Sequence, residues 1–166
     1  MKRLTLAALL TFSIVALGTA HAEPKKGLGI GIVIGEPTGL SLKKWISNDR
    51  AIDGGIAWSF SENDSMQLHA DYLIHRFDLF SSRGAKGKLA LYYGLGARIK
   101  LKEGNDEKDK KKNDDDVLVG VRVPLGITYL LTGDPIDLFA EIVPVLSVIP
   151  DTGFDLNASV GIRFYF

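Results

Sequence analysis

The chain has 166 residues, with 20 Lys and Arg against 20 Asp and Glu, three His and no Cys. That length suits one domain, zero net charge argues against a nucleic-acid binder, and the missing Cys excludes disulfides, thiol nucleophiles, Cys-ligated zinc and a lipidated Cys. Mean hydropathy is +0.10, too low for a bundle of transmembrane helices.

Met1-Lys2-Arg3 is a short basic start, and Leu4 to Leu17 is almost continuously apolar. Ala20-His21-Ala22 then has the small-x-small form read by signal peptidase, so residues 1–22 read as a cleaved secretory signal. The apolar run falls below the roughly 20 residues of a bilayer-spanning helix, which makes a retained anchor the weaker reading. Removal of Lys2 and Arg3 leaves residues 23–166 with a net charge of −2.

The mature chain alternates with period two between turn signals, which predicts strands. Leu28, Ile30, Ile32 and Ile34 form the first, and Glu36-Pro37-Thr38-Gly39 turns into a second over Leu40 to Ile46. Ser47 to Arg50 turns again. Ile52, Gly54, Ile56, Trp58 and Phe60 line one face of a third strand, and Met66, Leu68, Ala70, Tyr72 and Ile74 one face of a fourth. A Gly/Ser/Lys loop near 81–87 precedes the fifth, where every second residue from Leu89 to Leu101 is apolar or Tyr93. The sixth repeats this from Val117 to Tyr129. Ile136 to Val148 is a seventh strand with less clear faces. The eighth runs from Phe154 to Phe166, apolar at each even position.

Several of these strands are 11 to 13 residues long, against a typical five or six and the roughly 9–11 of a membrane-crossing strand. An even number puts both ends on one side, as in outer-membrane barrels. The expected fold is all-β: an eight-stranded antiparallel up-and-down transmembrane β-barrel. Its apolar face is expected to point to lipid, because the polar face carries Gly94, Gly96, Gly120, Gly126 and Gly161, suited to a crowded interior. The same face carries charges of both signs that can pair in a lumen: Asp53, Asp71, Arg98, Arg122, Glu141, Asp155 and Arg163, with Lys43 and Lys100. Aromatic residues near strand ends predict two girdles at the membrane surfaces, among them Trp45, Trp58, Phe60, Tyr129 and Phe154.

The chain ends on Phe166, preceded at every second position by Phe164, Ile162 and Val160. This resembles the C-terminal signature of outer-membrane barrels, in which a terminal aromatic on an amphipathic last strand is read by the barrel-assembly machinery. With a periplasmic C-terminus, strand parity places the segment 102–116 outside the cell. That segment has 12 charged residues in 15, five Lys and seven acids. It cannot bury a core and is expected to be disordered. Its plain reading is solubility; contact with lipopolysaccharide through Lys108 and Lys110 to Lys112, or cation binding at Asp114 to Asp116, is the sharper one. The Gly and distal Glu of a calcium loop are missing.

Gly35-Glu36-Pro37-Thr38-Gly39-Leu40-Ser41, then Lys43 and Trp45, resembles a family of small bacterial outer-membrane β-barrel proteins of uncharacterised function. Ala51-Ile52-Asp53, Trp58-Ser59-Phe60 and Leu68 to Tyr72 fit the same pattern. The resemblance implies fold and location and supplies no activity. The layout is also similar to the OmpA/OmpX-type barrels, without a match in loop sequence.

Candidate chemistry is sparse. His69, Asp71 and His75 share a face, but two His six residues apart on a strand lie roughly 20 Å apart, too far to hold one ion. Hydrogen bonding in the lumen, with Asp71 paired to an Arg, is the expected role. Ser159 lies near Asp155 with no His beside it, so no catalytic site, metal or cofactor is expected. Eight strands leave an interior that side chains fill. The reading is therefore a monomeric, non-enzymatic outer-membrane barrel with a structural or surface-interaction role, whose partners are lipid, lipopolysaccharide and, during biogenesis, the assembly machinery, with no nucleic acid. A narrow pore for ions or small solutes is one alternative, and a soluble periplasmic ligand-binding barrel another.

Overall fold

The computed structural model describes residues 27–59, 65–80, 87–102, 116–150 and 152–166. The expected signal at residues 1–22, Phe60 and nearly all of the charged segment 102–116 lie outside the described residues. The strands are β1 (Leu28–Glu36), β2 (Thr38–Trp45), β3 (Arg50–Ser59), β4 (Ser65–Arg76), β5 (Gly87–Lys102), β6 (Asp116–Arg122), β7 (Leu125–Leu131), β8 (Ile136–Ile149) and β9 (Gly153–Tyr165). All pairings are antiparallel, each stave lies beside its sequence neighbour, and β1 pairs with β9. The sheet closes on itself, leaving no free edge. Gly29 is opposite Tyr165, so the described chain begins and ends at one rim.

Nine strands make eight staves because β6 and β7 are halves of one. β5 pairs with β6 from Gly96–Arg122 outward and with β7 from Tyr93–Leu125 inward, in one continuous register. The predicted sixth strand is thus interrupted at Val123–Pro124. Pro124 has no N–H to give the ladder, but its carbonyl accepts from Gly94 N at 2.9 Å. On the other side Val123 N donates to the carbonyl of Pro144 at 3.0 Å. Two adjacent staves therefore carry a proline at the same level. Slightly above it the β6–β8 register slips between Val119 and Gly120.

The alternation sorts the barrel into two faces. Leu95 is 61 % exposed and Ile32, Ile142 and Val160 are similar, whereas their chain neighbours on the opposite face are buried or half-buried. Arg98, Lys43, Asp137 and Arg163 are at most 2 % exposed. Apolar residues therefore point outward and charged ones inward, the reverse of a soluble barrel. Glycine makes room where strands crowd inward: a Cβ on Gly96 would come within 1.9 Å of Asp71 Oδ1, and one on Gly161 within 2.3 Å of the Phe139 ring.

Candidate functional site in the barrel lumen

The lumen is filled in layers. At the rim where the described chain begins and ends, Trp45, Ala51, Leu130 and Tyr165 form an apolar plug, with Phe77 packed against it. His75 lies 4.4 Å from the Trp45 ring and 5.3 Å from Tyr92, centre to centre. Lys43 Nζ sits 4.7 Å above Trp45, within cation–π range. Trp45 is thus not in the outer girdle, as its aromatic character suggested. It follows Lys43 at i+2 on β2, and residues two apart share a face.

Above the plug, Asp137 is a hub. Its Oδ1 accepts from the Thr128 hydroxyl at 2.6 Å, and its Oδ2 from the Tyr165 hydroxyl at 3.0 Å and from Lys43 Nζ and Arg163 Nη1 at 3.4 Å each. Arg163 also donates from Nε to Ser41 Oγ at 2.8 Å and from Nη2 to Asp53, and its guanidinium lies 3.7 Å over the Phe139 ring. One cation so has two carboxylates, a hydroxyl and an aromatic face. That is the degree of satisfaction a buried charge needs.

The middle layer joins Arg122 to Asp71 at 3.0 Å and to Glu141 at 3.8 Å. Glu141 accepts from the Tyr92 hydroxyl at 2.8 Å and from the Ser159 hydroxyl at 3.4 Å. Leu73, Tyr92 and Phe139 pack around it. Towards the far rim Arg98 donates to Ser147 Oγ at 3.0 Å and to Asp155, with Lys100 buried above. Five cations (Lys43, Arg98, Lys100, Arg122, Arg163) meet five carboxylates (Asp53, Asp71, Asp137, Glu141, Asp155) among the described lumen residues. A void of about 20 Å³ lies among Asp53, His69, Arg122, Glu141 and Asn157, room for a single water.

The seven charged residues expected in the lumen are thus all brought inside, on six different strands. Reasoning from the sequence missed Asp137, Tyr92 and Tyr165. Asp137 shares the parity of Glu141, which was the signal available for it. No group of three His, Cys, Asp or Glu that could hold a metal occurs among the described residues. On the outside, Trp58 and Phe154 project near one rim, and Tyr129, Phe164 and Phe166 near the other. Val160 and Ile162 also point outward, and the Phe164 and Phe166 rings meet edge to face at 5.1 Å. Beyond the end of β4, Arg76 holds Asp78 by two hydrogen bonds of 3.0 and 2.8 Å, which draw the Asp78 carboxyl down to about 2.

The N-terminal β-barrel domain of Pseudomonas aeruginosa OprF is similar over 86 % of this chain and 98 % of its own, with 12 % identity and a TM-score of 0.61. The outer-membrane protein Ail of Yersinia pestis, solved in a phospholipid bilayer nanodisc, is similar over 84 % of this chain and 99 % of its own, at 13 % identity and a TM-score of 0.42. The fold is therefore shared with a β-barrel domain at a sequence distance that carries no function across. Among curated proteins none matches. A family model described as "Protein of unknown function (DUF3996)" matches residues 19–166, and the chain belongs to that family.

Proposed function

We propose that this protein is an integral barrel of a bacterial outer membrane, non-enzymatic, closed to solutes, with a structural or surface-interaction role in the envelope. The observation that carries the proposal is the inversion of the two faces. A contiguous apolar wall of Leu, Ile and Val surrounds the whole barrel. Such a wall exceeds by far the few hundred Å² of apolar patch that monomeric soluble proteins expose, and lipid is the solvent it fits. A soluble ligand-binding barrel would need the opposite arrangement.

The closed lumen is supported by its filling. Each layer places side chains across the bore, and the paired charges would have to separate for an ion to pass. The outward ladder of Val160, Ile162, Phe164 and Phe166 is proposed as the assembly signal, and the outer wall as the surface in contact with lipid and lipopolysaccharide.

Fractionation and conductance test this together. The protein is expected in the outer-membrane fraction with heat-modifiable migration on SDS gels, and silent in planar bilayers. Release into a periplasmic extract would refute the membrane reading. Steady, reproducible single-channel openings would refute the closed lumen and favour the narrow pore.

A further inference from the structure

The outer wall is not uniformly convex. A groove of about 880 Å³ runs across β5, β7, β8, β9 and β1, with almost entirely apolar walls. Its course follows from the register. One row of outward residues runs Arg50, Ile74, Tyr93, Leu125, Ile142, Ala158, each opposite the next across a strand pair. The next row runs Arg76, Leu91, Ile127, Ala140, Val160, Ile34. The groove is lined by the apolar members of these two rows from Leu91 and Leu125 onward. The rows are two residues apart along each strand, roughly 7 Å. Ala140 and Ala158 deepen the groove between larger neighbours, and Pro124 and Pro144 interrupt the ladder beside it.

Both rows start with an arginine. Arg50 Nη1 lies 3.4 Å from the Tyr72 hydroxyl, and Arg76 is within hydrogen-bonding reach of Tyr93. Lys44 also points outward, on the same row as Ile52 and Tyr72. Asp49 and Asp78 hold the two guanidiniums, so three cations stand against two carboxylates on the wall beyond the Leu91 and Leu125 end of the groove. Because barrel strands tilt by about 35–45°, rows that cross them climb the wall. The rows leave the arginines near the rim that holds the described chain ends and reach Ile34 close to the far end of β1.

We propose that this groove holds one glycerophospholipid of the periplasmic leaflet, its phosphate between Arg50 and Arg76 and one acyl chain laid along the groove past Leu125 and Ala140 towards Val160. The assignment rests on the membrane reading and orientation given above. Guanidinium pairs match phosphate geometry, tyrosine hydroxyls sit at head-group level, and the groove itself is almost entirely apolar, which suits an acyl chain. A second barrel is the poorer occupant, because two convex walls meet along a line and leave a depression between rows of side chains roughly 7 Å apart unfilled.

The test is native mass spectrometry of the detergent-purified protein titrated with palmitoyl-oleoyl phosphatidylglycerol, and separately with glycerol phosphate. Wild type is expected to retain one lipid and to ignore glycerol phosphate. The R50Q/R76Q double variant, which removes the phosphate contacts, and A140F, which fills the groove from its outward face, are each expected to bind the lipid at least tenfold more weakly. Heat-modifiable migration checks that each variant is folded. Folded variants that keep wild-type lipid affinity overturn the proposal. Binding of glycerol phosphate as tight as that of the lipid, or a dimer of the chain lost in A140F, overturns it as well. Wild type that is soluble and not heat-modifiable would instead overturn the membrane reading itself.

Discussion

Asp137 draws four side chains in the lumen, with a threonine, a tyrosine, a lysine and an arginine directed at one carboxylate. Removing one partner of a buried ion pair leaves the others uncompensated, which costs about 3–5 kcal/mol, whereas replacing both partners by apolar groups of like volume is often neutral. Asp137→Ala is therefore expected to destabilise the folded barrel by about 3–5 kcal/mol, read as a lower urea midpoint of unfolding in lipid vesicles. The double variant Lys43→Met with Asp137→Leu is expected to recover much of that loss, since Arg163 keeps Asp53 and Ser41. A single variant as stable as wild type would mean that Asp137 is not the hub its geometry suggests. Asp137 escaped the sequence reading for a physical reason. Phe139, Val143 and Val145 on the inner face of β8 are as apolar as Leu138 and Ile142 on the outer, so alternation, the signal that sorts the other strands, is erased there. Trp45 failed differently: its chemistry matched a girdle, but its spacing from Lys43 had already fixed its face.

At the scale of the strand, the two prolines are the departure from regularity. In a hydrogen-bonded antiparallel pair both residues exchange N–H and carbonyl. Gly94 with Pro124, and Val123 with Pro144, make one bond each, so neighbouring ladders are weakened at one level. Central prolines are normally confined to edges and bulges, and here a register slip lies nearby, between Val119 and Gly120. The predicted sixth strand had its outward face legible over the whole length from Val117 to Tyr129, because the break leaves the register unchanged. What side-chain periodicity could not carry was the break, which is a property of backbone donors alone. Pro124→Ala supplies the missing donor to Gly94. Amide exchange at Gly94, Gly96 and Val123 is expected to slow by tenfold or so, the equivalent of about 1.4 kcal/mol and within the worth of one restored bond. Unchanged exchange would show that the seam is held open by something other than the proline, for instance the fully buried site that the ring occupies.

For the whole molecule, the alternation carried the all-β class and sorted the residues into two faces, since a period of two leaves only two to assign, while the inside-outside sense came from the glycines and the charges of both signs on the polar face. The same arithmetic shows that the zero net charge of the chain is a sum over separate environments. The expected signal takes two basic residues, the segment 102–116 takes five against seven acids, and 13 basic residues remain against 13 acidic ones. Within that remainder the lumen sets five cations beside five carboxylates among the described residues, with Lys43, Arg98, Arg122 and Arg163 in direct ion pairs. On the proposed membrane reading, parity ties the side of every turn to that of the chain ends. Both described chain ends share a rim with the turns at Ile46–Asp49 and Thr132–Pro135. If that rim is periplasmic, the turn between β8 and β9 is outside the cell. The absence of native Cys makes this directly readable. Thr132→Cys and Thr152→Cys place a single thiol in opposite turns at exposed positions. A membrane-impermeant maleimide on intact cells is expected to label Thr152→Cys and to reach Thr132→Cys only after the outer membrane is opened. The reverse pattern would turn the barrel over, move the charged segment to the periplasm and place Arg50 and Arg76 in the outer leaflet. Labelling of both in intact cells would mean that the chain does not divide two compartments at all.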